Sequence, residues 1–595
     1  MESSTEAASQ STGSTTIADM LGLAAERYGD RPAVRYKRDG EWRDVPFAEL
    51  GEIVSEVARG LIDLGLQPGE RVSLLCSTRP EWTYADFAIT SAGGVVVPIY
   101  PTNSPSECAW VAGNSESRFI VCEDASQVAK IDEVRGDLPS LEAVIAIEPA
   151  DGTISFDELR ERGRARDRAE VTERAAAVRP EDPYTFIYTS GTTGPPKGCV
   201  LTHGNYRSVL NMSEELRALE SEEVVYLFLP LAHAYALLIQ LLAVDLGSTI
   251  AYWGGDPQQI IAELNEVHPS YLPSVPRIFE KLYTAVTAHG DPAQIKAATQ
   301  VGVKVRQLQA AGREVPAELQ QHFDAAEEAL YKNVRQAFGG NLTQANTGAA
   351  PIAKEILEFF YACGVYVLEG YGMTETSTVS TTQTRERFKL GTVGFAIPGS
   401  EIRIAEDGEV LLKGPHIFQG YYKMQDESFG AIEDGWLHTG DLGSLDEDGF
   451  LSITGRKKDI IITAGGKNLT PANIENDLKQ NRWISQAVMY GDRRPYPVVL
   501  LTLDPEQVPA LAQELGIDDA DPAKLAEHPK VHDKIQGILD EINAKYAKVE
   551  QVKKFTILDH DLSQETGELT PTLKVKRNVV NEKYAGLFEE LYQEA

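Results

Sequence analysis

The sequence predicts an α/β protein with a large N-terminal domain, built of parallel or mixed sheets flanked by helices, and a small α+β C-terminal domain. The chain has 595 residues, which is more than one hydrophobic core usually supports. From about residue 18, runs with helical periodicity alternate with short apolar runs typical of buried strands. Past Gly420 the pattern changes to short strands and tight turns.

Residues 1–17 contain neither a basic run nor an apolar run, so we expect a disordered leader and no secretory signal. Residues 18–455 form the large domain, where "TIADMLGLAAERYG" predicts a helix and "RVSLLC" and "RFIVC" predict buried strands. The charged stretch at about 293–340 predicts an inserted helical hairpin, broken at Gly312 and Pro316.

The small domain is placed at 456–595. Before this boundary, "DEDG" lies between two apolar runs and indicates a hairpin turn. The boundary itself is placed at the polar segment "GRKKD", which separates two strand-like runs. Beyond the boundary, Thr470 and Pro471 are typical of a helix start. In the large domain, "LLIQLLAVDLG" is too short to span a bilayer and predicts a core helix.

Charge and cysteine usage exclude several classes of protein. Lys and Arg number 56 against 89 Asp and Glu, a net charge of −33, which argues against nucleic acid or an anionic membrane as the main partner. The five cysteines are scattered without the spacing of a zinc site or a disulfide framework, so we expect them to be reduced and mostly buried. We expect a cytoplasmic protein.

A glycine- and hydroxyl-rich loop, "YTSGTTGPPKG", is the first candidate for chemistry. It follows the predicted strand "PYTFI" and precedes the predicted helix "GNYRSVLNMSEELRAL", an order that favours anion binding over a surface turn. A Walker-type loop is disfavoured. That loop ends in Gly-Lys-Ser or Gly-Lys-Thr, whereas here Lys197 follows a proline and precedes Gly198.

Three later segments extend the hypothesis of a nucleotide site. In "LEGYGMTETS", Tyr371 can stack on a flat ring, Thr374 can donate to a phosphate oxygen and Glu375 can hold Mg²⁺, although alone this is an ordinary turn after a strand. In "HTGDLG", Asp441 can accept both hydroxyls of a ribose. In "LKVKR", alternation puts Lys574 on the same side as the next lysine, a pattern equally typical of a solvated face.

Five segments in this order resemble the successive core motifs of the adenylate-forming superfamily of acyl-CoA synthetases, luciferases and peptide-synthetase adenylation domains: "YTSGTTGPPKG", "GYGMTE", "GWLHTGD", "GRKKDIIITAGGKNLTPANIE" and "LTPTLKVKR". The resemblance covers nearly the whole chain after the leader and is strongest to bacterial long-chain fatty-acid–CoA ligases. It implies a two-step reaction: acid and Mg-ATP give acyl-adenylate and pyrophosphate, and the CoA thiol then displaces AMP. ATP, Mg²⁺ and CoA as co-substrate follow from it.

The resemblance also implies roles for individual residues. ATP contacts are implied for Thr189, Ser190, Gly191, Thr192, Thr193, Gly194, Lys197, Gly348, Glu369, Gly370, Tyr371, Asp441 and Arg456. Thr374 falls at the α-phosphate, while Glu375 and Ser190 fall at the metal. His233, in "LPLAHAY", falls beside the substrate carboxylate, although a histidine among apolar residues is also typical of a core.

Lys574 matches the family lysine that bridges the attacking carboxylate and the α-phosphate, so the small domain is implied to be mobile. In the family this domain pivots at the position of Lys458, which brings Gly465 and Gly466 to the tunnel for the thiol. Two alternatives stay open: a fatty-acyl-AMP ligase or another adenylating enzyme that loads a carrier protein, and a non-catalytic binding protein on the same fold. We expect small-molecule substrates, no nucleic acid, at most weak peripheral membrane contact, and a monomer or homodimer.

Overall fold

The computed structural model describes residues 11–189, 195–287, 290–464, 468–570 and 573–593. Several residues named above lie outside them: Ser190, Gly191, Thr192, Thr193, Gly194, Gly465 and Gly466.

Strands of the large domain form two extended sheets within the described residues. The first sheet has the order Gly420–Tyr421, Lys197–Thr202, Pro183–Thr189, Val95–Ile99, Arg71–Leu75, Phe119–Cys122, Ala143–Ala146 and Ile154–Ser155. The second has the order Val367–Glu369, Gln344–Thr347, Tyr271–Ser274, Val224–Leu227, Thr249–Tyr252, Pro32–Arg38 and Glu41–Pro46. Most neighbours in both sheets are parallel, and antiparallel pairs lie toward one edge of each. The predicted parallel and mixed sheets are confirmed.

Smaller sheets follow along the chain. A third, antiparallel sheet contains Glu401–Ile404, Glu409–Lys413, Ile432–Glu433, Trp436–Leu445 and Leu451–Arg456. The turn between its last two strands is the predicted "DEDG" hairpin. Two-stranded pairs join Thr381–Thr382 to Phe395–Ala396 and Ile461–Ile462 to Asn468–Leu469. The last sheet contains Ile484–Tyr490, Val498–Leu503 and Phe555–Ile557.

Helices flank these sheets. Those before residue 456 are Ile17–Tyr28, Phe47–Asp63, Pro80–Ser91, Pro105–Asn114, Ala125–Glu133, Phe156–Arg164, Ala169–Ala177, His203–Glu215, Ala234–Leu246, Ile260–Val267, Pro276–Thr287, Pro292–Ala310, Ala317–Ala326, Lys332–Ala337, Lys354–Cys363 and Gln425–Ala431. Those after it are Pro471–Lys479, Val508–Leu515, Pro522–Ala526, Pro529–Asn543, Arg577–Lys583 and Ala585–Gln593. In the described residues, no helix has the length and apolar content needed to cross a membrane.

The apolar residues collect in separate cores. Three clusters are built from residues between 17 and 451, and two from residues between 461 and 591. The helix Ala234–Leu246 is buried along almost its whole length, as the run "LLIQLLAVDLG" predicts. All five cysteines are free and buried, which confirms that prediction.

The end of the expected leader is ordered, so the prediction of disorder is wrong for residues 11–17. Three hydroxyl side chains there are buried: Ser11, Ser14 and Thr16. The Thr12 amide donates to the Asp245 carbonyl at 2.9 Å, and Ser14 Oγ accepts from Arg207 Nη1 at 2.8 Å. Although its polar composition is typical of disorder, this segment hydrogen-bonds to Asp245 and Arg207. These two charged residues are buried and form an ion pair with each other.

Candidate active site

The glycine-rich loop connects two antiparallel strands. Pro183–Thr189 pairs with Lys197–Thr202, with Thr189 opposite Lys197, and the helix begins only at His203. The predicted order of strand, loop and helix is therefore wrong, because a second strand, "KGCVLT", lies between loop and helix. Its apolar side chains are largely buried in the first sheet, so a hairpin, rather than a helix N-terminus, positions Lys197.

Two glycines lie at the carboxyl ends of neighbouring parallel strands in the second sheet. Thr347 is opposite Glu369, so Gly348 and Gly370 follow at the same sheet edge, where ligands of open α/β sheets bind. A Cβ atom on Gly348 would lie 3.2 Å from the Gly370 carbonyl oxygen. The absence of both side chains keeps this edge open to a flat ring, such as the adenine of the ATP that the resemblance implies for these residues.

Glu369 is a buried acid at this edge, with 8% of its surface exposed. Burial raises its pKa to about 8, against a hydrogen bond from the Gly391 backbone. Within the described part of the chain its Oε2 atom has no hydrogen-bond partner. Burial therefore favours the uncharged form of Glu369 beside the flat ring that this edge is predicted to accept.

Tyr371, Asp441 and Arg456 form one hydrogen-bonded group. The Tyr371 hydroxyl donates to Asp441 Oδ2 at 2.7 Å, and Arg456 Nε lies 3.2 Å from Asp441 Oδ1. Asp441 and Arg456 are opposite each other on paired antiparallel strands. The structure thus brings together three residues for which the resemblance implies ATP contacts, and those contacts stay predictions.

The backbone after Glu375 is strained. Thr374–Thr376 forms a single 3₁₀ turn, and Ser377 and Thr378 follow with φ angles of 47° and 101°. Such conformations cost about 1–3 kcal/mol each in a residue other than glycine. Hydrogen bonds hold them, from Ser377 Oγ to the His416 carbonyl and from Thr378 Oγ1 to the Ala234 carbonyl.

His233 caps the helix Ala234–Leu246. Its Nδ1 accepts from the Tyr235 amide at 3.1 Å, so in the neutral ring the proton is on Nε2. Burial, followed by the charge of Lys574, lowers its pKa to about 4. The Tyr235 hydroxyl donates to the Asn346 carbonyl at 3.1 Å, which ties this helix end to the edge that carries Gly348.

Lys574, in the small domain, interacts electrostatically with the residues described above. Its side chain keeps contact with water, but protein encloses the ammonium enough that burial, and next the charge of Arg456, lower its pKa to about 8. Asp441 and Glu375 act on it in the opposite sense, and its own charge acts on His233. Lys574, in the small domain, therefore interacts electrostatically with three residues of the large domain, Asp441, Glu375 and His233.

The domains are also joined by ion pairs away from this lysine. Arg277 Nη2 lies 2.5 Å from Asp504 Oδ2, and Lys281 Nζ lies 2.6 Å from Glu506 Oε1. Lys458, the predicted pivot, is near the cleft, and its pKa is lowered by burial and then by Arg456. Ion pairs therefore join the two domains in this arrangement.

Glu375 and Lys197 supply charges suited to a metal and to phosphate. Glu375 is buried, with 7% of its surface exposed, and Tyr421 donates to its Oε1 at 2.7 Å. A carboxylate among hydroxyl groups is the donor type that Mg²⁺ prefers. The residues present therefore fit a metal beside an anionic ligand.

Sequence reasoning missed Tyr421, Thr378 and Tyr235, which connect the predicted residues to one another. Tyr421 had a weak signal, since "FQGYYK" places it after a glycine and beside a second tyrosine. Thr378 and Tyr235 act through contacts with residues more than 100 positions away in the chain, which local patterns do not contain.

This fold and cleft define a class of nucleotide-using enzymes. A family model described as AMP-binding enzyme matches residues 22–422, and one described as AMP-binding enzyme C-terminal domain matches residues 458–595. The chain belongs to the AMP-binding enzyme family.

Among its relatives, long-chain-fatty-acid–CoA ligase FadD15 of Mycobacterium tuberculosis is 40% identical over 573 residues, covering 95% of each chain. Human long-chain-fatty-acid–CoA ligase ACSBG1 is 32% identical over 97% of this chain and 85% of its own.

Solved structures agree in fold. The adenylation domain of a carboxylate reductase from Mycobacterium chelonae has a TM-score of 0.77 at 20% identity, covering 98% of this chain and 92% of its own. The o-succinylbenzoate CoA synthetase of Bacillus subtilis, in complex with ATP and magnesium ion, has a TM-score of 0.68 at 22% identity, covering 94% and 98%.

Proposed function

We propose that the chain is a long-chain fatty-acid–CoA ligase that forms an acyl-adenylate and then an acyl-CoA. The observation that carries the proposal is that Lys574, in the small domain, interacts electrostatically with His233, Glu375 and Asp441 of the large domain. The similarity to long-chain-fatty-acid–CoA ligases over 95% of the chain supports the substrate class.

In the first step a carboxylate oxygen attacks the α-phosphorus of ATP, and pyrophosphate leaves. Lys574 stabilises both anions as they approach, because an ammonium offsets the negative charge that builds up between the carboxylate and the α-phosphate. Lys197 stabilises the leaving phosphates. Bound Mg²⁺, held by Glu375, would neutralise phosphate charge.

His233 acts as a neutral donor in this scheme. A pKa of about 4 keeps the ring uncharged at neutral pH, with Nε2–H available to the substrate carboxylate. An uncharged ring orients the acid without forming a tight ion pair that would weaken it as a nucleophile.

The second step requires Lys574 to leave the cleft so that the CoA thiol can attack the acyl carbon and release AMP. We propose Lys458 as the pivot and Gly465 and Gly466 as part of the tunnel, on the resemblance stated above. The ion pairs of Arg277 and Lys281 with the small domain would break in this rotation. A cytoplasmic location and a monomeric or homodimeric state are proposed from the sequence.

Adenylation is expected to fall at alkaline pH. Lys574 assists only when protonated, so kcat/KM for the acid should decrease about tenfold per pH unit above about pH 8, while His233 adds no change between about pH 5 and pH 8. Pyrophosphate release measured from about pH 6 to about pH 10 checks this. The corresponding decrease in kcat should occur at a higher pH, because the phosphates of bound ATP favour the charged form of Lys574. A kcat/KM that stays constant to about pH 9.5 would exclude Lys574 as the titrating group.

The substrate class is tested with a panel of carboxylic acids from acetate to oleate, with and without CoA. We expect pyrophosphate release to be fastest with long-chain acids and AMP release to require CoA. A preference for acetate would refute the long-chain assignment. Adenylate that accumulates with CoA present, and that is consumed only by a carrier protein, would instead identify a fatty-acyl-AMP ligase.

A further inference from the structure

One aromatic ring contacts both charged residues of the phosphate and metal region. Lys197 Nζ lies 5.1 Å from the centre of the Tyr421 ring, within the range of a cation–π interaction. The Tyr421 hydroxyl donates to Glu375 Oε1 at 2.7 Å, the distance of a charge-assisted hydrogen bond. The ring thus contacts the ammonium, and its hydroxyl donates to the carboxylate.

The backbone fixes where this ring stands. Gly420–Tyr421 pairs with the strand that begins at Lys197, with Tyr421 opposite Cys199. The Tyr421 amide donates to Ser428 Oγ at 2.8 Å. Gly420 has φ 137°, and a Cβ atom there would lie 2.8 Å from the same Ser428 oxygen, so glycine is required before the tyrosine.

Side-chain packing fixes its orientation. The Phe418 ring meets the Tyr421 ring edge to face, with 4.9 Å between centres. The Phe418 amide donates to the Glu375 carbonyl at 2.9 Å, so the segment that carries the ring is also bound to the backbone of the acid. The ring and the carboxylate are therefore held together by two independent contacts.

Without the ring, the two charges would be free to pair. A lysine and a glutamate in a partly buried cleft attract each other strongly, and a direct ion pair would use the charge of both. Contact through Tyr421 stabilises each charge without neutralising it, because the ring face and the hydroxyl are separate interaction sites. The carboxylate can then bind a cation, and the ammonium can bind phosphate.

We propose that Tyr421 is a positioning residue that keeps Glu375 and Lys197 apart and aims the carboxylate at the metal of the nucleotide complex. The inference rests on the proposed function, since it uses the roles given there to Glu375 and Lys197. A tyrosine that served only in packing would be replaced by phenylalanine without any change in metal binding.

The test is Mn²⁺ binding in the presence of ATP, followed by the electron paramagnetic resonance of free Mn²⁺. Tyr421→Phe keeps the ring over Lys197 and removes the hydroxyl. We expect Mn²⁺ to bind about tenfold more weakly, because the variant loses one hydrogen bond to a charged group. Binding of ATP without metal should change less than about twofold, because the cation–π contact remains.

The neighbouring tyrosine supplies the matched control. The Tyr422 hydroxyl lies 3.3 Å from Glu116 Oε2, and Lys423 Nζ lies 5.0 Å from its ring centre, so it has the same kinds of partner away from the cleft. Tyr422→Phe should leave Mn²⁺ and ATP binding unchanged. Tyr421→Leu, which removes ring and hydroxyl, should weaken binding of both ligands.

The outcomes separate the inference from the function on which it rests. If the wild-type protein binds no Mn²⁺ with ATP, the proposed metal site is wrong. If the wild-type protein binds Mn²⁺ and Tyr421→Phe binds it equally well with an unchanged melting temperature, the metal site stands and the positioning role is refuted. A loss of Mn²⁺ binding in Tyr422→Phe of the same size would also refute it, since the effect would then be unspecific.

Discussion

Replacing Lys574 with alanine should lower acid-dependent pyrophosphate release by about 10²–10³-fold, while ATP affinity changes less than about threefold. The ammonium is expected to act where charge builds up between carboxylate and α-phosphate, so its loss removes stabilisation of the transition state rather than of bound ATP. The expected size is that of losing one preorganised donor to a developing oxyanion, about 3–4 kcal/mol.

Single-turnover pyrophosphate release and equilibrium ATP binding together check this result. Lys576→Ala is the control, because that lysine lies two residues away, just before the helix Arg577–Lys583. We expect its adenylation rate to stay near that of the wild-type protein. Pyrophosphate release at the wild-type rate in Lys574→Ala would show that another cation assists the attack.

Replacing Asp441 with asparagine should weaken ATP binding by about 10–100-fold with little change in melting temperature. Asparagine has nearly the same shape and still accepts from the Tyr371 hydroxyl, but it loses the charge that holds Arg456 and that would accept the ribose hydroxyls. The arginine then keeps a charge without its partner in the cleft, which adds to the loss.

Calorimetric titration with a non-hydrolysable ATP analogue measures the effect. Asp446→Asn is the control, since this acid pairs with Lys389 at 2.6 Å in the hairpin that follows the same strand. Its ATP affinity should equal that of the wild-type protein. If Asp441→Asn also binds the analogue normally, the ribose site lies elsewhere.

The fold class was predictable because it depends on local patterns. The helix Ile17–Tyr28 and the strands Arg71–Leu75 and Phe119–Cys122 occur where apolar periodicity places them. The order of strands was not predictable, since pairing joins distant residues, as Gly420–Tyr421 joins Cys199. The ordered segment at 11–17 escaped prediction for the same reason, because its partners lie about 200 residues away.

The residues of the candidate site were also only partly predictable from the sequence. Tyr371, Glu375 and Asp441 stand out in the sequence because turn residues surround chemically useful side chains. The contacts that connect these residues depend on the folded geometry. No local sequence pattern indicates that the Tyr421 hydroxyl donates to Glu375 or that Thr378 has a strained backbone. The sequence also did not indicate the pKa values of Lys574 and His233. Burial in the folded protein lowers them to about 8 and about 4.

We expect the protein to form an enzyme-bound acyl-adenylate before CoA reacts. Oleate, Mg-ATP and the protein are incubated without CoA, quenched and analysed by mass spectrometry. We predict one oleoyl-AMP and one pyrophosphate per active site, with conversion to oleoyl-CoA and AMP when CoA is added. Formation of ADP, or the absence of oleoyl-AMP until CoA is present, would contradict the account.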